Sequence, residues 1–424
     1  MNKNSIFSEF GCVCRFLLTS LFVTCVSFIV SGKALFGGSP LYTFNEWADL
    51  YFDGNATVSW DSNIFRDEYE EESDLTYILS PGLELNLGRG LSSYDMTVRT
   101  SYDFISYQEN DQLDKNNFHI NTSGVYRGSR LDLSGRLGYD ENQITSGEDN
   151  MRRMMIEVED VNGKINGEYR LNPKFSFGAG AHYFDRSYAA DTRNELADRN
   201  HLRFPFDLFY EWTPKVDLSA GYTYKAGEID DHQRGDTRFG GYDTTEHFFN
   251  VGARGNFFPK LSGFFKVGYR VQDREDSYNI NKDGDRTRID RGRGSGGLVG
   301  IDSGLTWNPT QKSTHNIVLE RDFGVGGEGT TTEVSRIRID SSYSLNPRWS
   351  ASSNLGYTLR DYQARGGENR NREDNQYLLG LGLNYTAPDY WRFSGGYSYQ
   401  NNDSSREGYS YDNHHFYLTA QLRY

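Results

Sequence analysis

The 424-residue chain is short of cysteine, proline and methionine, and after residue 30 it has no long apolar run. Its three cysteines, Cys12, Cys14 and Cys25, lie near the amino terminus. The rest of the chain therefore has no disulfide, thiolate or cysteine-metal chemistry open to it, and it suits unfolded passage through an oxidising periplasm. A mean hydropathy of −0.73 excludes a helical membrane protein, because each helical span needs about 20 apolar residues. Positive charge is not in excess either; the formal net charge of −14 argues against a general nucleic-acid binder. What the chain has in quantity is Tyr 30, Phe 27 and Gly 45.

The amino terminus reads as a targeting segment. Lys3 and Arg15 flank a polar lead, Phe16 to Val30 is an uncharged, mainly apolar run, and Gly32-Lys33-Ala34 places small residues where cleavage would follow Ala34. The expected organisation is a cleaved signal peptide over 1–34, a short periplasmic tail over 35–50, and one β-barrel over 51–424.

Alternation carries the fold. In the last stretch Phe416, Leu418, Ala420, Leu422 and Tyr424 fall on one face of a strand, and His415, Tyr417, Thr419, Gln421 and Arg423 fall on the other. Leu75, Tyr77, Leu79, Leu83, Leu85 and Leu87 repeat the pattern, with Pro81 expected to open the ladder. Around Met154 to Leu171 the apolar parity changes between Val158 and Val161, which predicts a bulge near Asp160. Pro173, Pro214, Pro259, Pro309, Pro347 and Pro388 recur roughly every 40–50 residues in short turn motifs flanked by aromatics. Between them run long charged connections at 189–200, 227–244, 273–297, 360–375 and 400–411. Short turns at one end, long loops at the other and aromatic strand ends describe a closed antiparallel transmembrane β-barrel, all-β, of about 18 strands with 16 as the alternative. A soluble propeller would give a sharper repeat than a turn proline.

One segment carries a family likeness. Trp60-Asp61-Ser62-Asn63-Ile64-Phe65-Arg66, then Ser73-Asp74 and Leu79-Ser80-Pro81-Gly82-Leu83, resembles the opening hairpin of an outer-membrane β-barrel porin family. Its members are often encoded beside exopolysaccharide-biosynthesis or exosortase genes. The resemblance implies a cell outer-membrane location and passage of a polar solute such as exopolysaccharide. It implies no catalytic residues. The last strand also resembles the carboxyl-terminal assembly signal of such proteins, carried by Phe416, Leu418, Leu422 and Tyr424.

If the apolar faces point outward, the lumen can be read by subtraction. It presents Arg99, Arg136, Lys164, Arg170, Arg203, Lys225, Arg254, Lys266, Arg270, Arg336, Arg338 and Arg392 against Asp61, Glu84, Asp95, Asp132, Glu168, Asp207, Asp217, Asp302, Glu320 and Asp340. Such a wall is expected to pair into ladders. The sharper alternative is a cationic stripe of Arg254, Lys266, Arg270, Arg336 and Arg338 facing an acidic glycan. Asn279, Asn281, Asp283, Asp285 and Asp290 approximate a calcium loop without its usual first and last ligands or flanking helices. The eight histidines lack nucleophile motifs and metal-ligand spacing. The expectation is a non-enzymatic, cofactor-free, porin-like barrel, its partners being outer-membrane lipid, the outer-membrane assembly machinery and a polysaccharide substrate, with no nucleic acid. The competing class is a non-conducting barrel, acting as a rim enzyme of lipase or protease type or as a surface adhesion protein.

Overall fold

The computed structural model describes residues 40–45, 47–88, 93–145, 155–189, 196–234, 237–275, 277–280, 286–289, 295–327, 329–362, 372–387 and 390–424. The expected signal peptide lies outside these residues. So do Asn281, Asp283, Asp285 and Asp290 of the calcium motif; the backbone of Asn279 lies in a loop strand.

The strands are β1 (Tyr42–Phe44), β2 (Ala48–Asp61), β3 (Asp74–Ser80), β4 (Gly82–Leu87), β5 (Tyr94–Tyr107), β6 (Lys115–Arg127), β7 (Leu131–Thr145), β8 (Met155–Arg170), β9 (Phe175–Tyr188), β10 (Arg199–Thr213), β11 (Val216–Ile229), β12 (His232–Arg234), β13 (Thr237–Phe239), β14 (Tyr242–Phe258), β15 (Leu261–Arg274), β16 (Ser277–Ile280), β17 (Arg286–Ile289), β18 (Ser295–Thr310), β19 (Ser313–Val325), β20 (Thr331–Ser344), β21 (Trp349–Tyr362), β22 (Arg372–Thr386), β23 (Trp391–Ser404) and β24 (Tyr411–Arg423). Each barrel strand pairs antiparallel with the next, and β2 pairs with β24 to close the ring. With β3 and β4 forming one interrupted strand, the barrel has 18 strands. Closure leaves no free sheet edge.

Burial follows the alternation. Leu418 (70% exposed), Leu137, Ile165, Val251 and Leu381 form an outward apolar band, with Trp212, Phe258, Trp307 and Trp349 at the turn end and Trp60, Tyr77, Phe104, Tyr269 and Tyr377 toward the loop end. Apolar side chains facing lipid between two aromatic girdles account for so much exposed hydrophobic surface. No helix among the described residues is long and apolar enough to cross a membrane.

Four details depart from the expectations. No register shift occurs near Asp160: β8 pairs continuously with β7 and with β9. The parity change has another cause, since Ile156 and Val158 face inward and are buried with Tyr188 and Leu196. Pro309 lies within β18 rather than in the turn, which is completed by the Thr310 and Ser313 hydroxyls at 2.7 Å; Pro388 lies outside the described residues. β1 and the start of β2 fall within the stretch assigned to a tail. The long connections contribute a separate four-stranded sheet of β12, β13, β16 and β17.

The signature segment closes the ring at its loop end. The side chain of fully buried Asn63 accepts from Asp67 N (3.0 Å) and donates Nδ2 to Asp67 O (2.8 Å) and Asp412 O (3.2 Å), while its backbone N–H reaches Asn413 Oδ1 at 3.1 Å. Arg66 adopts φ 53° and donates to both Asp61 carboxylate oxygens. Asp74 accepts from Gln108 N, Glu109 N and Asn110 N, fixing the next loop. Pro81 opens the ladder between β3 and β4, as its missing N–H requires, and a Cβ on Gly82 would come within 2.7 Å of two backbone oxygens.

Candidate functional site

The registers place all the predicted wall charges on the inner face, and one row of them shows how the lumen is divided. Arg136 on β7 pairs with Lys164 on β8, Lys164 with His182 on β9, His182 with Arg203 on β10, and Arg203 with Lys225 on β11. Four cations thus occupy five successive strands at one height. Arg203 and Lys225 have carboxylate partners, Asp302 at 3.8 Å and Glu246 at 3.4 Å. Arg136 and Lys164 have none among the described residues.

The region from β8 to β19 is crossed by ion pairs. Arg254 on β14 reaches Glu168 on β8 with two bonds of 2.6 Å and Asp217 on β11 at 3.0 Å, lying 3.5 Å above the Phe209 ring. Lys266 on β15 bonds both Asp207 oxygens on β10 at 2.7 Å. Small residues make room for this chord: a Cβ on Gly252 would sit 2.9 Å from the Lys266 stem, and one on Gly221 would sit 2.3 Å from Asp207 Oδ1. Arg270, 2% exposed, stacks on Phe248, donates from Nη1 to Glu246 at 2.7 Å and forms an ion pair with Asp322 at 3.2 Å. Such short charge-assisted bonds in a low dielectric fix geometry strongly, whatever their net stability.

At the loop end the same region is covered. Ala197 N donates to Gly327 O at 2.9 Å, and the Tyr242 hydroxyl donates to Gly329 O at 2.7 Å. Ala197, Ile229 and Tyr242 are buried together, with Val325 packed against them. Side chains therefore cross this side of the lumen at mid-height, and loop residues pack over it above.

The β5–β10 wall is different. A cavity of about 650 Å³ is lined there by residues that include Arg99, Asn121, Ser123, Arg136, Gly138, Asn162, Lys164, His182, Phe184 and His201. These belong to two neighbouring register rows, one running Arg99, Asn121, Gly138, Asn162, Phe184, His201 and the other Ser123, Arg136, Lys164, His182. Gly138 keeps the floor open, for a Cβ there would lie 2.5 Å from Asn121 Oδ1. Arg99 pairs with Glu84 at 2.6 Å yet remains 62% exposed. The carboxylates close by are engaged elsewhere: Asp140 holds His119 Nδ1 and Asn121 Nδ2, both at 3.0 Å.

Of the predicted stripe, Arg254, Lys266 and Arg270 come together within the crossed region, each in the ion pairs just described. Arg336 and Arg338 stand on β20, paired with Glu320 at 3.1 Å and Asp340 at 2.7 Å. Phe416, Leu418 and Leu422 share the outward parity of β24, and Tyr424 exchanges backbone hydrogen bonds with Phe52. Asp322 and Glu246, central to the crossed region, were not among the wall residues. Their parity with Glu320 and with Asn250 was the available signal. No group of three or more His, Cys, Asp or Glu suited to a metal ion occurs among the described residues.

A family model described as "Putative beta-barrel porin 2" matches residues 53–424. No match was found among curated proteins. Similar solved structures include the siderophore receptor PiuA from Acinetobacter baumannii, with 10% identity, TM-score 0.43 and coverage of 88% of this chain and 82% of that one. The ferric-catecholate import receptor Fiu from E. coli has 11% identity, TM-score 0.45 and coverage of 92% and 82%. The outer membrane protein OpdK from Pseudomonas aeruginosa has 10% identity, TM-score 0.41 and coverage of 89% and 99%.

Proposed function

The chain belongs to that porin family, and on this premise we propose that it passes a polar solute across the outer membrane. The observation that carries the proposal is the inner wall. A closed ring of 18 strands turns most of its apolar side chains outward and its charged and polar ones inward, apart from clusters such as Ile156 and Val158. A barrel of that strand number encloses a lumen wider than its own side chains can fill. Here one region is filled by crossing ion pairs, so the passage runs along the remaining wall, where Arg99 and Arg338 keep more than half of their side-chain surface exposed.

The cargo we propose is a hydrophilic saccharide of the exopolysaccharide class. Its hydroxyls would exchange water for the amides, hydroxyls and cations of the wall, a near-neutral exchange that permits both entry and release. No step calls for a nucleophile or cofactor. The long-loop end faces the cell exterior in this reading, and the terminal strand serves as the assembly signal.

The test is conductance of the purified, refolded chain in a planar bilayer. Stepwise openings from a heat-modifiable barrel are expected. Silent bilayers from the same folded material would overturn the passage reading.

A further inference from the structure

We propose that Arg136 and Lys164 form a binding station for a carboxylate-bearing sugar within the lumen. The proposal rests on the passage reading for its biological use but not for its chemistry. The two cations are direct cross-strand partners, a placement that brings side-chain origins to about 5 Å and is unfavourable for like charges. Elsewhere in the same row, Arg203 and Lys225 meet Asp302 and Glu246. At Arg136 and Lys164 no carboxylate comes within ion-pair distance among the described residues: Asp302, held by Arg203, acts on Lys164 only from further off, and Asp140, on the same face of β7, is turned to His119 and Asn121. An anion from outside the chain is what the pair lacks.

The space beside it suits a sugar. The adjoining cavity of about 650 Å³ falls within the roughly 300–1,000 Å³ of small-molecule sites. Asn162 stands in the next row with no side-chain partner among the described residues, able to serve a ring hydroxyl. The rings of Phe184 and His201, 5.2 Å apart and tilted by 32°, supply aromatic surface of the kind that packs on a sugar face. A carboxylate between guanidinium and ammonium gains charge-assisted hydrogen bonds, while a neutral sugar of equal size gains only the amides and the rings.

The experiment is calorimetric titration of the full folded chain in detergent with a galacturonic acid trimer and, separately, with maltotriose. The acidic trimer is expected to bind about ten-fold or more tightly than the neutral one, the difference expected of charge-assisted over neutral bonds. Arg136→Gln with Lys164→Gln should abolish that preference while the barrel remains heat-modifiable. Arg392→Gln, which removes a lumen cation on β23 with no partner among the described residues, should keep it. Equal binding of the two trimers by the unaltered chain would overturn the station. So would an undiminished preference in the double variant, or a loss in Arg392→Gln as large as in the double variant. Parallel bilayer recordings separate the two proposals: acidic preference with silent bilayers sinks passage alone, and open channels without acidic preference sink the station alone.

Discussion

The crossed region and the β5–β10 wall are built from the same kinds of residue on the same alternating strands, yet they hold their charge in opposite ways. In the first, Lys266 lies across Gly252 to grip Asp207, and Arg270 is enclosed between Glu246, Asp322 and Phe248. In the second, Arg136 faces Lys164 and neither has an acidic partner among the described residues. Barrel alternation sets only which residues point inward. Whether an inward charge is neutralised depends on which carboxylate its side chain can reach: a cross-strand neighbour for Arg99, Lys225 and Arg336, or, for Lys266, one several strands away that small residues let it reach.

The comparison breaks most visibly at Arg270. Arg270→Ala would leave Asp322 without its ion-pair partner and buried Glu246 with only the longer contact to Lys225, a loss of about 3–5 kcal/mol, read as a lower urea midpoint for the barrel refolded in lipid. A change too small to measure would mean that the crossed region is not the rigid one. Next comes the chord itself: Asp207→Asn weakens a mostly buried charged pair by about 1.5–3 kcal/mol. By loosening the filled side it should also raise single-channel conductance, and unchanged conductance would place the passage entirely beyond the chord's reach.

On the other wall the sign should reverse. Lys164→Gln relieves a like-charge contact, so the urea midpoint should hold or rise by the equivalent of about 0.2–1 kcal/mol, toward the lower end because water screens an exposed pair. A clear destabilisation would reveal a hidden partner for Lys164. The smallest effect concerns the loop end above the crossed region. Burial first, then Glu228, Asp198, Asp231 and Asp185, hold the Asp230 carboxyl above its ordinary value of 3.8, at about 6. The folded chain then binds more protons than the unfolded one between these values, so this stabilising contribution is fully present below pH 3.8 and is lost as pH rises through about 6. Asp230→Asn should flatten that part of the pH profile of the urea midpoint; a profile identical to the parent's would contradict the assignment.

The strand pattern was open to sequence reading because lipid outside and water inside impose period two on every strand. Leu75 to Leu87 and Phe416 to Tyr424 show it without help from the fold. It misled at Ile156 and Val158, where apolar residues face inward because Leu196 descends from a loop to cover them. Parity alone cannot distinguish lipid from a buried cluster. The wall charges were legible one by one, whereas their partners were not: Arg254 meets Glu168 across four strand positions, a closeness that depends on how the ring is pinched. The same holds for the signature segment, whose Asn63 and Arg66 act on the seam with β24 rather than on a solute.

The most direct test of the division is the reversal potential of single channels under a potassium chloride gradient. It would be recorded for the unaltered chain, Lys164→Gln and Lys266→Gln. The expected result is an anion preference that falls in Lys164→Gln and survives in Lys266→Gln, because one cation faces the passage and the other is neutralised by Asp207. A preference that survives in Lys164→Gln and collapses in Lys266→Gln would contradict the division, and would move the passage to the side described here as filled.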